Sequence, residues 1–143
     1  MNPLIQKNVL LIIRGVSGSG KTAFEQFLTT MIEGIEIVTC TADNFFLDDK
    51  GYYNFDVTKL GQAHTWCKNK AFRAMDDSIR IVIVSNTSCS EKEYKPYEEY
   101  ARQRGYEVVS LVIENLTGQI DIHGVPQETL ERQRNKLFNS LKL

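Results

Sequence analysis

The residues with the clearest chemistry form the run Gly15-Val16-Ser17-Gly18-Ser19-Gly20-Lys21-Thr22, which holds three of the nine glycines of the chain. Small residues let a backbone bend tightly enough for successive N–H groups to point into one concavity. A helix starting at its end adds the positive pole of its dipole. Such a concavity suits a phosphate chain. The order G-x-x-x-x-G-K-[ST] supplies two further groups: the Lys21 ammonium, which reaches the outer phosphates of a nucleoside triphosphate, and the Thr22 hydroxyl, which ligates its Mg²⁺. The eight residues from Gly15 to Thr22 are therefore the expected nucleotide-binding set, with ATP and Mg²⁺ as the expected ligands. A dinucleotide fingerprint needs no such lysine, which argues for a triphosphate. The bland alternative is a glycine-rich turn that binds nothing.

A second group follows in Thr39-Cys40-Thr41-Ala42-Asp43-Asn44-Phe45-Phe46. An aspartate at the carboxyl end of the strand after a phosphate-loop helix can take the proton of an attacking hydroxyl or orient it toward the γ-phosphate. Asp43 has a second reading, as an N-cap or turn aspartate. His64, His123, Arg132 and Arg134 also carry chemistry. The histidines read as packed or hydrogen-bonded groups, His64 on the apolar side of its helix. The arginines read either as part of a lid over the nucleotide or as a solvated helix face alternating with Glu128 and Glu131.

The elements that must position these groups can be read from periodicity. Residues 8–14 form an unbroken Val/Leu/Ile-rich run, the pattern of a strand buried on both faces. Phe24, Phe27, Leu28, Met31 and Ile32 then recur at helical spacing within residues 22–32. Further strands are expected over 35–39, 79–84 and 107–113. Helices are expected over 59–75, over 93–104 with Gly105 as the stop, and from Pro126 onward. Strands alternating with helices imply an α/β fold: a parallel sheet of four or five strands between two helical layers, with ligands beyond the carboxyl ends of the strands.

Composition narrows the classes. With 143 residues, 42% hydrophobic and 24% charged, the chain reads as a single domain over 1–143. A net charge of -1 excludes a strongly basic nucleic-acid-binding surface but not a local groove. Cys40, Cys67 and Cys89 are odd in number and far apart, so neither a disulfide framework nor a zinc site is expected. The apolar run near the N-terminus is too short to span a bilayer and lacks a cleavage site. A cytoplasmic protein with no membrane partner is the expectation.

GVSGSGKT, TADNFF, GYYNFDVTKLGQAHTWC, VIVSNTS, EYKPYEEYARQRGYEV and HGVPQETLERQ, in that order, resemble the small P-loop kinases related to bacteriophage polynucleotide 5′-hydroxyl kinase and the zeta-toxin group. Within that class they look most like the AAA-type ATP-binding domain of the NEDD4-binding protein group. The resemblance implies a P-loop NTPase three-layer fold and transfer of the ATP γ-phosphoryl group to a hydroxyl, a nucleic-acid or nucleotide 5′-hydroxyl foremost. It also implies catalytic roles for Lys21 and for Asp43 as general base. Two alternatives stand beside it: a small-molecule kinase, and a nucleotide-binding module without transfer. Three departures bear on the acceptor and lid. Phe46 stands where the phage group has an arginine that grips the acceptor phosphate. Ser85-Asn86-Thr87 lacks the usual carboxylate, leaving Asn86 to hydrogen-bond metal waters. The lid ENLTGQIDIHGV contains no arginine or lysine, which leaves Arg132 and Arg134 as the nearest cations. The aromatic loop from Gly51 to Phe55 either stacks on an acceptor base or covers the edge of the sheet.

Overall fold

The computed structural model describes residues 7–88, 90–114 and 124–141. Four strands, β1 (Val9–Arg14), β2 (Ile37–Cys40), β3 (Ile81–Ser85) and β4 (Glu107–Val112), form one parallel sheet in the order β2-β3-β1-β4. The connecting helices are α1 (Lys21–Met31), α2 (Leu60–Asp76) and α3 (Glu91–Gln103), and α4 (Gln127–Ser140) follows the sheet. Right-handed crossovers dictate the layers. The β1-to-β2 connection crosses the sheet in one direction and the next two in the other, so α1 lies on one face and α2 and α3 share the opposite face.

The main core lies under α2 and α3. Leu10 and Ile12 of β1 and Val82 and Val84 of β3 meet Ala63, Cys67, Ala71 and Met75 of α2 and Tyr97 and Ala101 of α3. Small residues on α2 let that helix sit close to the sheet. On the other face, Ile13 and Ile83 are fully buried beneath α1. The expected apolar stripe of α1 is only half used: Phe24 and Leu28 are half-buried, whereas Phe27 is 57% and Met31 65% exposed. A 3.6-residue period does not record how wide the covered face is.

The expected elements are all present, with shifted ends. β2 starts two residues later than read from the sequence, because Ile35 and Glu36 are spent crossing from α1. Helix α3 starts two residues earlier, at a capping box in which the Ser90 amide donates to the Glu93 carboxylate at 2.9 Å. Gly105 follows the end of α3 with φ of 76°, as a left-handed helix stop requires. His64 is exposed, contrary to its reading on the apolar side of α2, because that helix turns Ala63 and Cys67 inward instead. Cys40 and Cys67 are buried, with free thiols. His123, Cys89 and most of the lid lie outside the described residues. No helix among the described residues is long and apolar enough to cross a membrane.

Candidate active site

The phosphate loop leaves β1 at the point where the connections from β1 and β3 diverge in opposite directions, the place where such sheets open a crevice. Its glycines have separate reasons. Gly18 and Gly20 hold φ of 77° and 103°, in the left-handed region. Gly15 is needed for close approach, since a Cβ there would stand 2.6 Å from Ser19 Oγ and 2.7 Å from the Ile113 carbonyl. Ser19 is buried, and its hydroxyl has no hydrogen-bond partner among the described residues.

The loop fits an anion. Gly20, at the N-cap of α1, makes no side-chain cap hydrogen bond, and no acidic residue occupies the first turn to oppose an anion there. Lys21 curls back over the loop, and its ammonium donates to the carbonyls of Gly15 and Val16 at 2.8 and 2.9 Å. Incoming phosphate oxygens would compete with those carbonyls for the same charge. Thr22 is exposed at the start of α1, open to a metal bound with the phosphates.

Asp43 lies in a short 3-10 turn, Ala42–Phe46, directly after β2. Thr41 takes the N-cap position, so Asp43 sits inside the turn and is exposed to solvent, with the Tyr53 hydroxyl 3.5 Å from its Oδ1. Because β3 lies between β2 and β1, this turn and the phosphate loop are not on adjacent strands. The segment after β3 joins them. The Thr87 carbonyl accepts the Gly15 amide at 3.1 Å, and Asn86 Oδ1 accepts the Ala42 amide at 2.9 Å. Asn86 is itself buried, with its Nδ2 3.5 Å from Cys67 Sγ, which the Tyr97 hydroxyl approaches at the same distance. Burial raises the Tyr97 hydroxyl above its usual range and pushes the Cys40 thiol up to about 12, with neighbouring Cys67 adding to both. Cys40 and Tyr97 are thus held in their neutral forms.

Phe46 is 5% exposed and packs edge-to-face against Phe45, Tyr53 and Phe55. Within the aromatic loop, Tyr53 pairs with Leu47 across an antiparallel bridge and Tyr53 and Phe55 cover Phe46, while Tyr52 remains 66% exposed. A surface cleft of about 820 Å³ opens here, beside the Asp43 turn and not over the phosphate loop, lined by Phe45, Phe46, Asn54, Phe55 and Lys59 among others.

Helix α4 reaches the loop through a residue the sequence reading missed. Gln133 Oε1 accepts the Ser17 amide at 3.1 Å, and Leu137 packs on Val16 and Val112. Arg132 and Arg134, on either side of Gln133, are exposed, and Arg132 donates to Thr129 one turn back. The available signal was spacing, since Leu130, Gln133 and Leu137 share one helical face. Arg14, the last residue of β1, clasps the same helix. It is 4% exposed and donates from Nε to the Ser88 carbonyl at 2.7 Å and from Nη2 to Ser140 Oγ at 2.8 Å. Its guanidinium lies 4.4 Å over the Tyr94 ring.

A parallel sheet in this order, with a phosphate loop after its first strand, is the fold of the P-loop kinases. The chain is 31% identical over 134 residues to human (Homo sapiens) NEDD4-binding protein 2, an alignment that covers 87% of this chain and 7% of that protein. It therefore spans only a small fraction of that relative's length. The Pnkp1/Rnl/Hen1 RNA repair complex contains a chain that superposes with a TM-score of 0.74 at 17% identity, covering 94% of this chain and 45% of that one. The APS kinase CysC of Mycobacterium tuberculosis, in complex with AMPPNP and APS, superposes with a TM-score of 0.52 at 15% identity, covering 95% and 73%. No family model matches the chain.

Proposed function

We propose that the chain is an ATP-dependent phosphotransferase of the polynucleotide kinase type, acting on a hydroxyl acceptor, with a nucleic-acid or nucleotide 5′-hydroxyl foremost. The observation that carries this reading is the staple after β3, where two consecutive residues hold the phosphate loop on one side and the Asp43 turn on the other. ATP with Mg²⁺ supplies the transferable phosphoryl group and partial neutralisation of its charge. The loop amides and Lys21 bind and orient the phosphates, and Thr22 ligates the metal. Asp43 accepts the acceptor's hydroxyl proton as its oxygen bonds to phosphorus, and the bond to the ADP leaving group breaks. The aromatic cleft beside the Asp43 turn is the place for the acceptor. Structures of similar fold support the reading: the APS kinase structure holds AMPPNP and APS together, and another belongs to an RNA repair complex.

The test is phosphate transfer from radiolabelled ATP with Mg²⁺ to 5′-hydroxyl DNA, 5′-hydroxyl RNA and nucleosides. Product on an oligonucleotide, lost by a factor of about 10²–10⁴ in Asp43→Asn at unchanged ATP affinity, is the expected result. Transfer to nucleosides alone would make the chain a small-molecule kinase. A second reading, a nucleotide-binding module without transfer, is favoured by the lack of a carboxylate in Ser85-Asn86-Thr87 and by the commitment of Asn86 Oδ1 to a backbone amide. ATP binding without product on any acceptor would establish it.

A further inference from the structure

Glu25 stands three residues beyond Thr22 on α1, so the two side chains share a face of the helix. This face looks toward the carboxyl ends of β2 and β3. The Thr39 and Ser85 hydroxyls face the Glu25 carboxyl and favour its ionised form, but burial outweighs them and holds it above the usual carboxylate range. The charge of Lys70 also favours the ionised form, but its ammonium is bonded to the Thr39 carbonyl at 2.9 Å. Among the described residues no lysine or arginine forms an ion pair with Glu25. A half-buried carboxylate without a contacting cation is costly to keep, and it sits beside the residue expected to ligate a divalent metal.

We propose that Glu25 is the outer-sphere carboxylate of the metal–nucleotide site, holding through water the Mg²⁺ that Thr22 ligates. The inference rests on the nucleotide reading above. A small hard cation keeps several waters and takes one or two protein groups plus phosphate oxygens, in place of a full protein cage. Asn86 Oδ1 is occupied by the Ala42 amide, whereas Glu25 lies one turn along α1 from Thr22. The Thr39 and Ser85 hydroxyls face the Glu25 carboxyl, as a supporting shell around a metal site would.

Calorimetric titration of ADP and ATP into the full chain, in Mg²⁺ and in EDTA, tests this without any catalytic readout. In the unaltered chain Mg²⁺ should tighten nucleotide binding. In Glu25→Gln that gain should shrink by about 10- to 100-fold, with metal-free affinity equal or tighter. Adding Ser85→Asp, which returns a carboxylate to the facing position, should restore most of the gain. An unchanged gain in Glu25→Gln, or no recovery in the double variant, overturns the proposal and leaves Glu25 a structural residue. Should Glu25→Gln melt early, Glu25→Asp gives the same reading, since its shorter reach must reduce the gain and an unchanged gain overturns the proposal. Failure of the unaltered chain to bind nucleotide in either condition removes the nucleotide reading itself, and this proposal with it.

Discussion

Asn86 Oδ1 accepts the backbone amide of Ala42 at 2.9 Å, across 44 residues of sequence, and so fixes the height of the turn that carries Asp43. Asn86→Ala leaves that buried amide without its acceptor, at a cost of about 1–3 kcal/mol. Urea unfolding should show the loss. If the turn positions the base, phosphate transfer should fall further than nucleotide affinity, which calorimetry reads separately.

Gly15→Ala should destabilise the fold by about 1–3 kcal/mol, because the new methyl meets a backbone carbonyl at 2.7 Å as well as a side chain. A Ser19→Ala background removes only the side-chain clash, so thermal melting of the double variant should recover part of the stability and not all.

Gln133 and its neighbouring arginines should behave differently. Arg132→Ala with Arg134→Ala, both at exposed positions, should change stability by less than about 0.5 kcal/mol. Gln133→Ala removes the acceptor of the Ser17 amide and should cost about 1 kcal/mol. The contrast is read by chemical unfolding, and a larger loss from the arginine pair would show that α4 seats differently.

The Cys40 thiol sets a pH dependence. Its ordinary value is 9.0, and burial pushes it up to about 12 in the folded chain. Between these values the unfolded chain has released its proton and the folded chain has not, so stability is fully present below about pH 9 and lost as pH rises toward 12. Cys40→Ala should flatten the alkaline limb of a stability curve measured against pH. A thiol reagent at pH 8 should leave Cys40 and Cys67 unmodified until the chain unfolds, since both are fully buried.

The sequence made legible what depends on neighbours in the chain. The Val/Leu/Ile run of β1, the glycine turn and the start of α1 follow from local periodicity and backbone sterics, and the comparisons with known structures agree with the P-loop kinase fold. Strand order was not legible, because nothing in the residues of β2 states that β3 will lie between it and β1. Asn86 reads from the sequence as a partner for metal-bound waters, and its bonds to Ala42 and Cys67, both remote in sequence, were not legible. The packing of Phe46 under Tyr53 and Phe55 was not legible, because their loop had no predictable path. Gln133 went unread beside the arginines of α4, since an amphipathic count does not weigh a single amide contact.

Arg14 has a consequence for how the molecule comes together and apart. Helix α4 buries a single side chain, Leu137, and depends otherwise on Arg14 and on a rim amide of the glycine turn. It can therefore seat only after the central strand and that turn have formed, which makes it the last piece to dock and the first to detach. Deuterium should enter its amides sooner than those of the inner strands, and occupancy of the turn should slow that uptake in a helix that need never touch the occupant.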